Sequence, residues 1–449
     1  MSIVMKFGGT SVADAAAFKN VARIVAAERD ASPVVVVSAI SSVTDGLLAA
    51  TPESLEPIFN RHLAVAQELL HGSALVRFNE VVKRAQSHAQ ELLQAGAQSP
   101  SKRKIIQDAV VSFGELLSST LLAEVLNERG VEARKVDARR CIITDDEHTC
   151  AAPLLKETFS HTQNQLQPLL ESGVIPVLGG FIGATVDGAT TTLGRGGSDY
   201  TAALVGAALN SREIQIWTDV TGVLTADPRV VPNAQTIERL SYGEAAELAY
   251  FGAKVLHPKT IQPAIENSIP VRICNSRAPQ ERGTLVGPQT ETSPRTIKAI
   301  AHKTGVTTVQ ITSARMLGAY GFLRALFEVF DRNRTVVDVV TTSEVSVSLS
   351  LDDDSALPEI VKELGELGTV RVEKGRAIIC VVGEGLRGTP GVAARVFSTI
   401  SDINVTLISQ GASSINFTFA IEEERVKEAV TRLHEAFFSH EKAQRGQNV

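Results

Sequence analysis

The chain has 449 residues, too many for one ordinary hydrophobic core and enough for two or three domains. With 44% hydrophobic, 21% charged and only 5% aromatic residues, it has the make-up of an aliphatic α/β globular protein and not of a disordered one. Its 44 Lys and Arg against 50 Asp and Glu leave a formal charge of −6, which offers no basic field for nucleic acid or an anionic membrane surface.

From the N-terminus, short β-branched runs alternate with longer helical ones: a strand at Ile3 to Phe7, a helix from about Ala13 to Arg29 and a strand at Pro33 to Ser38. Further strands are predicted at Val131 to Val136, Val174 to Leu178, Glu213 to Thr218 and Pro270 to Cys274, with helices such as Ile105 to Asn127 and Tyr200 to Leu209 between them. This rhythm predicts a parallel sheet covered on both faces. The sheet is expected to end near Gly287, and Pro288 to Pro294, rich in Thr, Ser and Pro, reads as a linker. Nothing in Met1 to Gly9 reads as an export signal, and no segment is expected to span a bilayer. Cys141, Cys150, Cys274 and Cys380 are scattered without a Cys-x-x-Cys pair, which suggests neither a disulfide framework nor a zinc site and fits a reducing cytoplasm.

Beyond the linker the chain repeats itself. GFLRALFEVFDRNRTVVDVVTTSEVSVSLSL from Gly321 aligns with GVAARVFSTISDINVTLISQGASSINFTFAI from Gly391, a shift of 70 residues. The first copy reads strand (Val306 to Thr312), helix (Phe322 to Asn333), strand (Val336 to Thr341), strand (Val345 to Leu351), helix (Leu357 to Leu367) and strand (Val370 to Glu373), a βαββαβ order. The second copy runs from its last helix, Val426 to Phe438, into the polar tail HEKAQRGQNV and lacks a fourth strand. The unassigned segment Thr296 to His302 is expected to supply that strand, so that the first copy is inserted within the second. The expected boundaries are 1–287 for the first domain, 288–295 for the linker, 306–375 for the inserted copy, and 296–305 plus 376–449 for the other.

Two glycine-rich loops follow strands and precede helices. In KFGGTS, Lys6 to Ser11, the glycines would let backbone N–H groups approach an anion at the positive end of a helix, with Lys6 balancing phosphoryl charge; alone, such a turn is more often just a tight connection. In TTTLGRGGSDYTAAL, Thr190 to Leu204, Arg195 offers a planar fork for a carboxylate or phosphate, and Ser198 or Asp199 either faces a ligand or merely caps the helix. Neither G-x-x-x-x-G-K-[ST] nor a G-x-G-x-x-G after the first strand occurs, so a P-loop fold and a dinucleotide-binding dehydrogenase lose support.

Taken together with SFGEL from Ser112, GGFIG from Gly179, WTDVTGVLTADPR from Trp217, FGAKVLHP from Phe251 and TTSEVSVSLSL in the tail, these motifs resemble the aspartate kinases of the amino-acid kinase superfamily over almost the whole chain. The monofunctional length and MLGAYGFL from Met316 look most like the lysine-sensitive class. The resemblance implies a carbamate kinase-like α/β/α sandwich followed by two ferredoxin-like βαββαβ ACT domains. It also implies transfer of the γ-phosphate of ATP to L-aspartate, the first step toward lysine, threonine and methionine, under feedback by an amino acid.

Carried over by resemblance, Lys6, Gly8 and Gly9 would lie by the transferred phosphate, and Asp199 would orient substrate. Ser38, Thr44, Phe181 and Ser198 would line the aspartate pocket, with Glu115 on the α-ammonium and Arg195 on the α-carboxylate. Thr218, Asp219, Asp227, Arg229 and Lys254 would serve the nucleotide, with Leu224 standing where a tyrosine is often found. Magnesium would arrive with ATP, and no protein metal ligand is assigned. In the first ACT copy, Met316, Gly321, Leu323, Asp338, Thr342, Ser343 and Glu344 match the effector site, with L-lysine the expected effector and Asp338 accepting its ammonium. Ala319 and Val336 stand where the best-known lysine-sensitive members carry a hydroxyl. A homodimer through the ACT domains, or a tetramer, is expected.

Blander readings stand beside these. Asp338 can be a solvated strand-end carboxylate in a region that only dimerises, and Met316 a filler of core gaps. Trp217 reads as core, and His148, His161 and His257 as surface or satisfied structural histidines. The competing functions are a kinase for glutamate or an N-acylated amino acid, against which SFGEL and the paired ACT domains count, and a weakly catalytic amino-acid-binding regulator.

Overall fold

Residues 3–7 and 33–37 are apolar at almost every position, a pattern that suits strands buried on both faces of a sheet, and in the computed structural model they form its centre. The structure describes residues 1–97, 99–251, 256, 258–288 and 296–439. The chain divides into two units, one formed by Met1–Val223, Glu238–Tyr242 and Val255–Gln289, the other by Leu224–Ile237, Gly243–Lys254 and Thr290–Val449.

The first unit contains β1 (Ile3–Phe7), β2 (Pro33–Val37), β3 (Ala133–Val136), β4 (Ile143–Thr144), β5 (Ile175–Gly179), β6 (Ile182–Thr185), β7 (Thr190–Thr192), β8 (Glu213–Thr218), β9 (Arg239–Ser241), β10 (Val271–Asn275) and β11 (Thr284–Gly287). Its main sheet has the order β3-β5-β2-β1-β8-β10-β11-β9. From β3 to β10 all neighbours run parallel. The expectation of a wholly parallel sheet fails at β11, which pairs antiparallel with β10 because the connection between them is too short for a crossover. A small sheet, β4-β6-β7, lies apart from the main one.

The helix expected over Ile105 to Asn127 is two, Arg103–Val111 and Phe113–Glu128. Between them Ser112 Oγ donates to Ala109 O at 2.7 Å, a back-bond of the kind that bends helices. This stretch is long and apolar enough to cross a membrane, but most of it is buried in the unit, and Leu117, Leu121, Leu122, Val125 and Leu126 belong to the main core.

The second unit is built on one antiparallel sheet of β12 (Ala299–Thr312), β13 (Val340–Thr342), β14 (Ser346–Leu351), β15 (Thr369–Val382), β16 (Leu407–Gln410) and β17 (Asn416–Glu422), in the order β13-β14-β12-β15-β17-β16. The strands predicted at Thr296 to His302 and Val306 to Thr312 are one continuous β12 with a register shift near Gly305, and Val370 to Glu373 is the first part of β15. Ala299 to Lys303 pair with Val382 to Ile378, and Thr307 to Thr312 pair with β14, so one long strand serves both repeats. Two separate cores result. Val309, Leu326, Phe330, Leu349 and Ile360 form one, and Ile300, Ile379, Phe417, Phe419 and Leu433 are part of the other. The predicted strand Val336 to Thr341 shrinks to β13, because Val336 is three-quarters exposed and outside the ladder. Lys298 and Glu244, both buried, pair at 2.7 Å within this unit.

Candidate active site

The parallel strands β1, β2, β5 and β8 end at the same side of the sheet, and the chain reverses direction of travel across it between β1 and β8. Open α/β sheets place their ligand crevice at such a switch point. At the end of β1, Gly8 N donates to Trp217 O of β8 at 3.1 Å. A Cβ on Gly9 would lie 3.1 Å from Ala39 O, so the KFGG turn needs glycine there for close approach to the end of β2. Ser11 Oγ donates to Ser276 Oγ at 2.9 Å, and Ser276 in turn bonds Thr218 O, tying this turn to β8 and β10.

The expected placement of the KFGG loop on a helix N-terminus is corrected. A short 3-10 turn, Gly9–Val12, intervenes, and the helix Ala15–Ala27 is capped by Asp14, whose side chain accepts from Ala17 N at 2.8 Å. Lys6 is the charged group that this segment brings to the strand ends. Its Nζ lies 2.6 Å from Asp199 Oδ1, both side chains being mostly buried.

The capping alternative for Ser198 and Asp199 is also overturned. Gly196, at φ +75°, is the N-cap of the helix Gly197–Ala208 and no side chain caps it. Ser198 instead accepts from Ser38 Oγ at 3.0 Å, across from the end of β2. A Cβ on Gly180 would sit 2.7 Å from Ser198 Cβ, which explains glycine in the GGFIG segment. Phe181 follows with φ +68°, an unusual conformation for an aromatic residue, held by Phe181 N donating to Thr201 Oγ1 and Phe181 O accepting from Leu193 N.

Glu115, in the first turn of Phe113–Glu128, is 3% exposed. Its Oε1 accepts from Ala39 N at 3.2 Å, while Oε2 is buried with no hydrogen-bond partner among the described residues. Burial pushes its carboxyl up to about 8, with the Ala39 N–H only partly opposing. An orphaned acceptor of this kind fits a cationic ligand group. Arg195 is exposed and has neither a hydrogen bond nor an ion pair among the described residues, which leaves its fork open to an anion. Thr44 is half-buried in the short helix Val43–Leu48, which starts at Ser42 with φ +66°.

The first unit thus carries Lys6, Gly8, Gly9, Ser38, Thr44, Glu115, Phe181, Arg195, Ser198 and Asp199, together with Thr218 and Asp219, whose side chains share a 3.2 Å hydrogen bond. Asp227 and Arg229 belong to the second unit, where they form a forked pair with a 2.6 Å closest contact. Lys254 and His257 lie outside the described residues. Sequence reasoning missed Ala39, Ser118 and Ser276. Ser118 Oγ donates to Ser38 O at 2.7 Å, but a small residue that acts through its backbone or through another side chain leaves no sign in a motif. Trp217 is core, stacked on Phe7 at 5.8 Å, and His148 is satisfied by Asp108 at 2.8 Å.

In the second unit, Gly321 starts the helix Phe322–Arg332 at φ +82°, and Gly391 starts its counterpart at φ +83°. Met316 is half-buried against the core, while Leu323, Thr342, Ser343 and Glu344 are exposed. Asp338 is not a solvated carboxylate: it is half-buried beside Asp352, its Oδ2 lacks a partner, and burial followed by the Asp352 charge pushes it up to about 7.

Known proteins agree with this arrangement. The amino acid kinase family matches residues 1–275 and the ACT domain family residues 379–437. Lysine-sensitive aspartokinase 3 of Escherichia coli is 39% identical, with 97% of this chain and 99% of that protein aligned. The chloroplastic aspartokinase 1 of Arabidopsis thaliana is 38% identical, with 98% and 80% aligned. Among solved structures, E. coli aspartokinase III with aspartate and ADP (R-state) superposes with a TM-score of 0.80 at 38% identity, covering 98% of this chain and 100% of that one. The same enzyme with lysine and aspartate (T-state) gives 0.82, also at 38% identity, covering 97% and 99%. With an amino acid kinase unit followed by ACT repeats and a near full-length match to these enzymes, this chain belongs to the aspartokinase family.

Proposed function

We propose that the chain transfers the γ-phosphate of ATP to the β-carboxylate of L-aspartate, giving ADP and 4-phospho-L-aspartate. The observation that carries this reading is Glu115, a buried carboxyl with one unpartnered oxygen near the strand ends. A free α-ammonium group satisfies it, whereas an N-acylated substrate brings no cation. Arg195 then takes the α-carboxylate, and Ser38, Thr44, Phe181 and Ser198 line the pocket.

The β-carboxylate is already a nucleophile at neutral pH, so no general base is required. One of its oxygens attacks the γ-phosphorus, the bond to the β,γ-bridging oxygen breaks, and ADP leaves with the electron pair. Lys6 balances the charge on the transferred group, Asp199 holds the Lys6 ammonium in place, and Gly8 and Gly9 keep the approach narrow. Thr218 and Asp219, with Asp227, Arg229 and Lys254, are proposed for the nucleotide. Mg²⁺ is proposed to arrive on the nucleotide phosphates, with no protein ligand assigned to it.

The proposed domain boundaries are 1–287 for the kinase, 288–295 for the linker, 306–375 for an inserted ACT domain and 296–305 plus 376–449 for the second. L-Lysine is the proposed effector, with Asp338 receiving an ammonium group beside Met316, Gly321, Leu323, Thr342, Ser343 and Glu344. A homodimer through the ACT repeats is supported by exposed Leu317, Tyr320, Leu323 and Phe327 on the first copy. The four free cysteines support a reducing cytoplasm.

Aspartyl hydroxamate formation from ATP, Mg²⁺ and L-aspartate tests the reading, with and without L-lysine or L-threonine. Turnover blocked by lysine supports both sites. Block by threonine alone assigns a different effector, and turnover of glutamate but not aspartate overturns the substrate.

A further inference from the structure

We propose that Asp108, which no motif singles out, is the positioning residue that sets the distance between Glu115 and Arg195, and hence the span of amino acid the site accepts. The proposal rests on the aspartate reading above.

Asp108 is 1% exposed, on the helix Arg103–Val111. Ser112 N donates to Asp108 O, and Leu116 N to Ser112 O, so backbone bonds cross the bend at Ser112 and link Asp108 to the turn that bears Glu115, about two turns on. A displacement of Asp108 is therefore passed to Glu115 through the hydrogen-bonded bend at Ser112.

Its carboxylate grips the opposite side of the site. Oδ1 accepts from Thr192 Oγ1 at 2.7 Å, and Thr192 ends β7, one turn of chain before Arg195. Oδ2 accepts from Thr149 N at 3.0 Å and lies 2.8 Å from His148 Nδ1. Thr149 has φ +77°, a conformation that a β-branched residue adopts only when its surroundings enforce it. The strained loop in turn braces the arginine loop: Ala151 N donates to Thr192 O, and a Cβ on Gly194 would lie 3.2 Å from Cys150 Sγ. One buried side chain thus joins the helix that leads into the turn of the ammonium-binding group to the strand and loop of the carboxylate-binding group.

The test uses the full chain and three substitutions. Asp108→Asn keeps Oδ1 but replaces the acceptor facing Thr149 N–H and His148 with an amide donor. Thr192→Val keeps the shape and removes one hydroxyl, so it answers the question even where Asp108→Asn fails to fold. His148→Gln retains a side-chain donor. We expect KM for aspartate to rise about tenfold in each of the first two, with KM for ATP near the parent value and the thermal midpoint of Thr192→Val lowered only as far as the loss of one buried hydrogen bond requires. The double variant Asp108→Asn/Thr192→Val should be less impaired than the product of the single effects, and His148→Gln should stay within about twofold. Equal shifts in both KM values, or a lowered thermal midpoint with unchanged KM for aspartate, would overturn the proposal. If the parent protein turns over no aspartate, the substrate reading fails first; if it does and the variants match it, only the positioning role fails.

Discussion

Lys6 Nζ and Asp199 Oδ1 lie 2.6 Å apart, joining the end of β1 to the first turn of Gly197–Ala208, although the residues are far apart in sequence. The pair holds a mostly buried ammonium where phosphoryl charge would develop. Lys6→Met should lower kcat by about 100-fold or more with the far-UV spectrum unchanged. Asp199→Asn should lower kcat less, since it frees the lysine without removing it. Steady-state kinetics of both variants check this, and a Lys6→Met enzyme with near-parent kcat would remove Lys6 from the chemistry.

Glu115 should trade stability for function. Its carboxyl titrates near 8 when folded, against an ordinary 4.5, because burial disfavours the charge. A raised value means that its contribution is fully present below pH 4.5 and is lost as pH climbs to 8. Glu115→Gln cannot ionise, so it should be more stable than the parent at pH 8, by about 1–3 kcal/mol, with little difference at pH 4. The same variant should lose most aspartate turnover. In the parent, KM for aspartate should fall between pH 6.5 and 8.5, because the ammonium needs the carboxylate form. Calorimetry and a pH series of KM decide both points.

With Asp338 as the proposed ammonium partner, inhibition should depend on pH. Burial and Asp352 hold its carboxyl up near 7, so below that pH an effector ammonium meets a neutral partner. The lysine concentration for half-inhibition should fall as pH rises from 6 to 8. Asp338→Asn should raise it at least about tenfold at pH 8 and flatten the dependence. An unchanged lysine response in this variant would dismiss Asp338 as the ammonium partner.

Lys298 and Glu244 form a buried ion pair within the second unit, with 8% and 0% side-chain exposure. Removing the lysine takes away one charged partner of a buried carboxylate, so Lys298→Met should lower stability by about 1–3 kcal/mol. Adding Glu244→Gln should recover part of that. Urea midpoints of the two variants test it, and a single variant as stable as the parent would show the charges to be relieved elsewhere.

The repeat was legible in sequence down to single residues. Gly321 and Gly391, aligned by a 70-residue shift, both start helices in the left-handed region, at φ +82° and +83°. Glycine there is dictated by local sterics, which a one-dimensional pattern carries. The strands β1 and β2 were legible because their apolar runs follow from burial on both faces.

Sequence by itself determined the order of elements, the repeat and the residue types at the site, because these depend on periodicity, turn chemistry and motif spacing. It left open whether Asp199 capped its helix or faced a ligand, since both readings use the same side chain at the same position. Only tertiary structure brought Lys6 beside it and gave the helix to Gly196. It likewise decided, by packing, that Ala39 N bonds the Glu115 carboxyl and Ser118 Oγ bonds Ser38 O. Tertiary structure alone set the acidity of Glu115 and Asp338, because a carboxyl's titration depends on how much water surrounds it, and burial is a property of the folded chain.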